Sequence, residues 1–225
     1  MGGLRLDLHV HSRHSPDSSL SIETIVATLS VRGLDGFALT DHNTVAGHSE
    51  LAQWQAKFPA LAFVPGIEVS TREGHLLAYG VAEAPPPRRS VAETIDWVRG
   101  HGGVSVLAHP FRFSHGVGGT VAGRVTVSAV ETVNGHNSPR ANRKAAALAA
   151  GRGLAGTGGS DVHELSDLGR AYTEFPEGTT GIEAVLAALR DGRTTAAGGT
   201  LNFASRAQTE WRTIVLRLRR GLRPI

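Results

Sequence analysis

Residues 4–18 read LRLDLHVHSRHSPDS, and the spacing of His9, His11 and His14 ahead of Asp17 decides how the rest of the chain is read. LRLDLHV has the character of a strand. On an extended strand His9 and His11, two positions apart, point the same way, while Val10 turns into the packing. Two imidazoles followed by a carboxylate can grip one cation. A strand that merely carries two histidines is the bland alternative, and it has to be weighed against the remaining sequence.

The 225 residues suffice for one globular domain with a short appendage. An apolar fraction of 40% and a charged fraction of 19% are ordinary for a water-exposed protein. There is no cysteine, which excludes disulfides and thiolate metal sites, so any metal must be held by nitrogen and oxygen. The sequence shows neither a signal peptide nor an apolar run long enough to span a bilayer, and MGGLRL lacks the hydroxyl residue of a myristoylation signal. A cytoplasmic location is the resulting expectation. The charge is unevenly placed: from residue 199 onward six arginines stand against Glu210 alone, whereas the preceding 198 residues carry 17 basic and 19 acidic side chains.

Strand-like and helical runs alternate from the N-terminus onward. Ser21 caps a helix over IETIVATLSVRG that stops at Gly33, GFALTD is a short buried strand, and VAGHSELAQWQAKF is helical. LAFVPGIEVS and HLLAYGV are strands, and Ser90 with Glu93 forms a capping box before VAETIDWVRGHG. GVSVLAHP and SAVETVN are strands, and Ser138-Pro139 opens a helix over RANRKAAALAAGRG. LAGTGGSD and RAYTEF follow as strands, and Thr180 with Glu183 boxes the start of GIEAVLAALRDG. This alternation predicts βα units in a largely parallel sheet, either closed into a barrel or open and doubly wound.

The metal-capable residues fall at the ends of those strands. His9, His11 and Asp17 follow the first, Asp41 and His42 the second, and Glu68 the third; His75 opens the next run, His109 ends SVLAHP, and Asp161 and His163 end GTGGSDVH. In a parallel barrel the C-terminal strand ends converge on one face, so residues 150 positions apart meet there. Each motif alone is weak, and Asp161 by itself equally well caps a helix. Six histidines with Asp17, Glu68 and Asp161 are enough for two or three ions, and the donor set suits zinc, manganese or iron(II) without choosing among them.

In motif order, H-x-H, TDH, GIEVS, AHP and GSDxH resemble the PHP (polymerase and histidinol phosphatase) family, and the resemblance runs from about Leu4 to GRAYTEFP. It implies a distorted (β/α)7 barrel over residues 1–198 with a metal cluster at the strand C-termini; the residues beyond it, 199–225, read by themselves as a basic amphipathic tail helix. Carried over by position, His9, His11, Glu68 and Asp161 hold a first ion, Asp17, His42 and His163 a second, and Glu68, His75 and His109 a third. Many family members have histidine where Asp17 stands. REGHLLAYG and the VETVNGHNSP segment are similar to small bacterial and archaeal phosphoesterases of nucleotide-like substrates. Relatives of the nucleoside bisphosphate phosphatase type carry an inserted helical cap between the positions of His75 and His109; here only 33 residues separate them, so the cap is absent.

The implied activity is hydrolysis of a phosphate ester of a nucleotide or short oligonucleotide, such as a short RNA, by hydroxide generated at the ions. No serine-nucleophile motif competes with it. Asp41, His136 and Arg140 are candidate catalytic or substrate residues, with His14 and His115 as further candidates for the leaving-group acid and Arg13 and Arg112 for phosphate. The alternatives are hydrolysis of carboxylic or carbamate esters on the same cluster and, with all nine ligand positions intact, less readily a non-catalytic binding module. In the tail, Trp211, Val215, Leu218 and Leu222 share one helical face. The ordinary expectation is a helix packed on the barrel through that face, with a basic arm for nucleic acid or a membrane surface as alternatives.

Overall fold

The computed structural model describes residues 3–221. Nine strands form one sheet: β1 (Arg5–Val10), β2 (Gly36–Leu39), β3 (Ala62–Ser70), β4 (His75–Tyr79), β5 (Val104–Leu107), β6 (Ala129–Asn134), β7 (Ala155–Gly159), β8 (Ala171–Glu174) and β9 (Thr195–Gly198). Their order is β7-β6-β5-β4-β3-β2-β1-β8-β9. The ends of the β1–β7 run also meet, through a parallel bridge between Val10 and Val162 and the bonds Asp161 N–H to His9 O (2.8 Å) and His11 N–H to Val162 O (3.3 Å). This closure selects the barrel over the open sheet.

Buried Asp7 reinforces the seam, accepting from the amides of Ser160 and Gly169 at 2.8 and 3.0 Å. The approach of β7 to β1 is so close that a Cβ on Gly159 would overlap His9 Cβ, and one on Gly158 would meet the backbone of Tyr172 on β8, which explains the two glycines that end GTGG.

The sheet departs from the expected parallel pattern at β4, which runs antiparallel to both β3 and β5. The reversal has a consequence for the site: the N-terminal end of β4, where His75 sits, lies level with the C-terminal ends of β3 and β5. β8 and β9 are likewise antiparallel additions beyond β1.

Helices α1 (Ile22–Thr28), α2 (His48–Lys57), α3 (Val91–Gly100), α4 (Gly118–Ala122), α5 (Pro139–Arg152), α6 (Gly181–Arg190) and α7 (Phe203–Arg219) complete the fold. Ser21, Ser90 and Ser138 cap α1, α3 and α5 as their sequences indicate, with the full Ser90–Glu93 box in place. Thr180 makes no side-chain cap on α6, so the second expected box does not form. The stretch expected as one helix up to Gly33 breaks into α1 and a 3-10 turn, which Gly33 ends in the left-handed region (φ 66°). Short α4 and β9 had no signal in the periodicity.

Val185, Leu186 and Leu189 of α6 pack with Leu6, Val64, Val104 and Tyr79, which lie toward the opposite ends of their strands from the histidines. The barrel is therefore filled and closed below, and its polar residues are gathered above.

α7 does not take the expected orientation. Its Trp211 and Leu218 are 66% and 56% exposed, and Phe203 and Ile214 are exposed beside them. The apolar stripe faces outward, and the opposite face lies over the strand ends; Leu222 and Arg223 fall outside the described residues. No helix among the described residues is long and apolar enough to cross a membrane.

Candidate metal centre

The structure brings all nine expected ligand positions to one end of the barrel, and Glu68 is the hub. Its Oε2 lies 3.0 Å from His9 Nε2, 3.2 Å from His11 Nε2 and 3.4 Å from His42 Nδ1. Its Oε1 lies 2.7 Å from His75 Nδ1 and 2.9 Å from His109 Nε2. Asp161 Oδ1 is 3.3 Å from His11 Nε2 and 3.7 Å from His9 Nε2. Asp17 Oδ2 stands 3.1 Å from both His42 and His163, with Ser15 Oγ–H donating to its other oxygen. Three sets of donor atoms come within mutual metal-binding reach: His9, His11, Glu68 and Asp161; His11, Asp17 and His42; and His42, Glu68 and His75. The first set is the one that the resemblance implies, and the other two regroup its members, with His11 joining Asp17 and His42 joining His75.

The backbone is bent to reach this arrangement. His109 and Asp161 both have positive φ, 26° and 59°, in a region costing non-glycine residues about 1–3 kcal/mol. Backbone bonds hold both: His109 N–H donates to Glu131 Oε2 at 2.8 Å, and Asp161 N–H donates to the His9 carbonyl.

Two residues central to the site were not assigned to it from the sequence or were left among several candidates. Glu131, buried on β6, accepts from His9 Nδ1 at 2.9 Å, from the His109 amide and from Asn134 Nδ2 at 3.0 Å. With the proton on Nδ1, the lone pair of His9 Nε2 is left facing Glu68 and Asp161. The one available signal was an acid inside the apolar strand AVETVN. Of the candidate arginines Arg13, Arg112 and Arg140, Arg112 enters the cleft: its Nη2 donates to Asp161 Oδ2 and to Asn134 Oδ1 (2.7 Å), and its Nε donates to Asn137 Oδ1 (3.2 Å).

Other candidates lie elsewhere. Asp41 is buried against Ser12, accepting from its amide (2.6 Å) and hydroxyl (2.8 Å), and so shapes the loop after β1 instead of facing the cleft. Arg140 is exposed on the first turn of α5, away from the cleft, because the capped start of that helix points it outward. Arg13 and His14 are both engaged by Glu50. His136 does line the cleft, with Nε2 3.2 Å from Asp167 Oδ2, and His115 stacks on His75 at 4.7 Å.

The electrostatics bear on whether cations fit. Glu68, Asp161, Asp17 and Glu131 are buried together, and among the described residues Arg112 is the only arginine bonded to them. Burial alone would raise Asp161, Glu68 and Asp17, but Arg112 and His9 hold Asp161, His42, His9 and His75 hold Glu68, and His42 and His163 hold Asp17 well below the usual carboxylate range. In return His11, despite burial that lowers it, is raised to about 10 by Asp161 and Glu68. His109 goes the other way, lowered to about 3 by burial and Arg112. Without metal, protons must offset a surplus of buried negative charge. Among the described residues, five buried imidazole nitrogens also lack a hydrogen-bond partner: His11 Nδ1 and Nε2, His42 Nδ1, His75 Nε2 and His109 Nδ1. His11 Nε2 and His42 Nδ1 lie within ion-pair distance of carboxylates without hydrogen-bond geometry, as expected where lone pairs converge on a shared point between the residues. Unpaired imidazoles and surplus carboxylates in a nitrogen–oxygen donor set fit divalent ions.

Comparison with known proteins agrees with this geometry. The PHP domain family matches residues 7–97, and the PHP-associated family matches 139–194. An uncharacterized protein of Methanocaldococcus jannaschii is 30% identical over 118 residues, covering 48% of this chain and 68% of its own length. A phosphoribosyl 1,2-cyclic phosphate 1,2-diphosphodiesterase of Eggerthella lenta is 36% identical over 86 residues, 36% of this chain and 32% of that protein. Among solved structures, PsfC from Pseudomonas syringae superposes with a TM-score of 0.68 at 20% identity, covering 97% of this chain and 99% of that one. Endonuclease Q, solved in complex with a 27-mer duplex bearing an abasic lesion, gives 0.63 at 17% identity over 87% of this chain and 59% of its own. The chain belongs to the PHP family, and it is a metal-dependent hydrolase acting on ester bonds.

Proposed function

We propose that the chain hydrolyses a phosphate ester of a nucleotide or short oligonucleotide at a cluster of two or three divalent ions. The observation that carries the reading is the convergence of unpaired imidazole nitrogens and buried carboxylates around Glu68, beside an arginine that enters the same cleft. His9, His11, Glu68 and Asp161 would hold one ion, Asp17 and His42 with His163 or His11 a second, and His75 and His109 with Glu68 a third. Bound divalent ions supply Lewis acidity, which makes water a nucleophile near neutral pH and offsets charge on phosphoryl oxygens.

The protein's own part is preorganisation. Glu131 fixes the tautomer of His9, and Arg112 holds Asp161 in place while bringing positive charge to the cleft. His136, tied to Asp167, stands in the cleft wall as a candidate acid for the leaving group. The similarity to a cyclic phosphodiesterase and to a lesion endonuclease supports the nucleotide class of substrate.

The test is initial rates of the manganese-loaded protein on nucleoside monophosphates, a nucleoside 3′,5′-bisphosphate, a carboxylic ester and a carbamate. Phosphate release that vanishes in Asp161→Ala is the expected result. Hydrolysis of the carbon esters alone would overturn the phosphoesterase reading while leaving the metal cluster standing.

A further inference from the structure

We propose that α7 is the substrate cap of this site, with Arg217 gripping the phosphate of an ester no larger than a mononucleotide, and that its position excludes a continuous nucleic-acid strand. The inference deepens the phosphoesterase reading and rests on it.

The helix is strapped across the barrel mouth. Arg220 Nη1 donates to the carbonyls of Ser15 (2.9 Å) and Ser18 (2.8 Å) in the loop after β1. Arg206 Nη1 donates to the Asn137 carbonyl (2.9 Å) after β6, and Arg212 pairs with Glu164 (3.1 Å) after β7. Three of the basic tail's arginines are thus committed to holding the helix down. At 17 residues α7 is about 25 Å long, enough to bridge the loops of opposite strands.

Its inward face is mostly polar, with half-exposed Ile214 at its edge adding apolar surface to the cleft wall, and that sets it apart from an ordinary packed helix. Arg206, Thr209, Thr213, Arg217 and Arg220 recur at spacings of three and four and turn toward the site, while Phe203, Trp211, Ile214 and Leu218 are exposed. A helix recruited only to cover apolar surface would be rotated by half a turn. Thr209, Thr213 and Arg217 share the wall of one cleft with Glu68, Asp161 and His163. Within it the Nε of Arg217 is buried and has no hydrogen-bond partner among the described residues. A buried, unpaired guanidinium N–H in a half-open cleft calls for an acceptor, and the planar fork of arginine matches phosphate oxygens. Arg112 is already engaged with Asp161, Asn134 and Asn137, so Arg217 is the arginine in the cleft without a protein partner. Glu210, the one acid that α7 brings to the wall, is exposed, where water screens it.

Size points the same way. The cleft measures about 290 Å³, at the lower end of the usual range for small-ligand sites. A strand running across the mouth would have to displace the helix and its three arginine anchors. The cap missing between His75 and His109 is therefore supplied from the C-terminal side of the chain.

The experiment uses the full-length, manganese-loaded protein and its variants Arg217→Gln, Arg217→Lys and Arg219→Gln, the last an exposed neighbour outside the cleft. KM and kcat are measured for a nucleoside monophosphate, binding of inorganic phosphate is measured by calorimetry, and wild-type rates are compared on a 5′-phosphorylated 20-mer RNA and an abasic duplex. The expected loss in Arg217→Gln is about tenfold or more in both KM and phosphate affinity, the scale of one charge-assisted hydrogen bond, with kcat changed far less. Arg217→Lys retains part of the affinity, and Arg219→Gln matches wild type. Unchanged KM and phosphate affinity in a folded Arg217→Gln overturns the inference, as does faster cleavage of the 20-mer or the duplex than of the mononucleotide. Absence of phosphate release from every phosphate ester, with carbon esters cleaved, overturns the phosphoesterase reading itself.

Discussion

Replacing Glu131 with glutamine keeps its shape and tests the claim that it sets the tautomer of His9. Glu131 Oε1 faces His9 Nδ1, while Oε2 accepts from the His109 amide and from Asn134 Nδ2. A glutamine has one acceptor and one donor end. If its oxygen faces His9, its NH2 opposes two donors, leaving buried groups unsatisfied at about 1–3 kcal/mol. If it flips, every bond is kept, but NH2 now donates to His9 Nδ1 and the imidazole proton moves to Nε2. That nitrogen is 3.0 Å from Glu68 Oε2 and donates to it comfortably when no metal is present. The metal-free variant therefore loses at most about 1 kcal/mol, or ~2–4 °C in Tm for a chain of this size. Metal binding must undo the flip, and the expected cost is about 10–100-fold in affinity. Thermal unfolding of the metal-free protein and competition with a chelating indicator measure the two terms. A variant with wild-type metal affinity whose metal-free form melts far lower would refute the argument, because Glu131 would then be a structural acid only.

Three further outcomes are expected. Chelation should abolish activity and lower Tm, since each site at a hundredfold excess of metal over Kd contributes ~2.7 kcal/mol, about 5–10 °C here; a chelator-treated protein with unchanged Tm would contradict a buried cluster. Gly159→Ala should cost about 1–3 kcal/mol and metal affinity together, because the new methyl overlaps His9 Cβ and meets Glu131 Oε1 at 2.9 Å; retention of both in calorimetry would show that the seam can open freely. Glu93 is lowered to about 2 by hydrogen bonds from the Ser90 amide and hydroxyl. Its contribution is present above the ordinary glutamate range and is lost as pH falls toward 2, so Glu93→Gln should be less stable than wild type at pH 7, and the gap should close on acidification. A gap independent of pH would rule out the charge as its source.

Much of this protein was legible without coordinates because its signals are local. The two-residue spacing of His9 and His11, and of Asp161 and His163, is meaningful on any strand. The βα alternation made convergence of strand ends a reasonable expectation, and serine caps announced α1, α3 and α5. The structure then brought the other eight candidate ligand positions to the end of the barrel where Glu68 sits. What periodicity cannot say is which elements meet. Glu131 lies 122 positions from His9, and only barrel closure makes it that residue's partner. The same closure chose Arg112 over Arg13 and Arg140, and turned Asp41 to Ser12 instead of the cleft.

The tail shows the limit most plainly. Its sequence specifies two faces, one apolar and one polar, and the usual preference for burying apolar surface points the first inward. Here the surface beneath is charged, and three arginines bond to loop carbonyls and to Glu164, so the polar face is drawn in. The sequence by itself determined the amphipathic helix and the ligand-type residues. The tertiary structure alone decided which way that helix faces, because the answer depends on the polarity of a surface assembled from strands far apart in the chain.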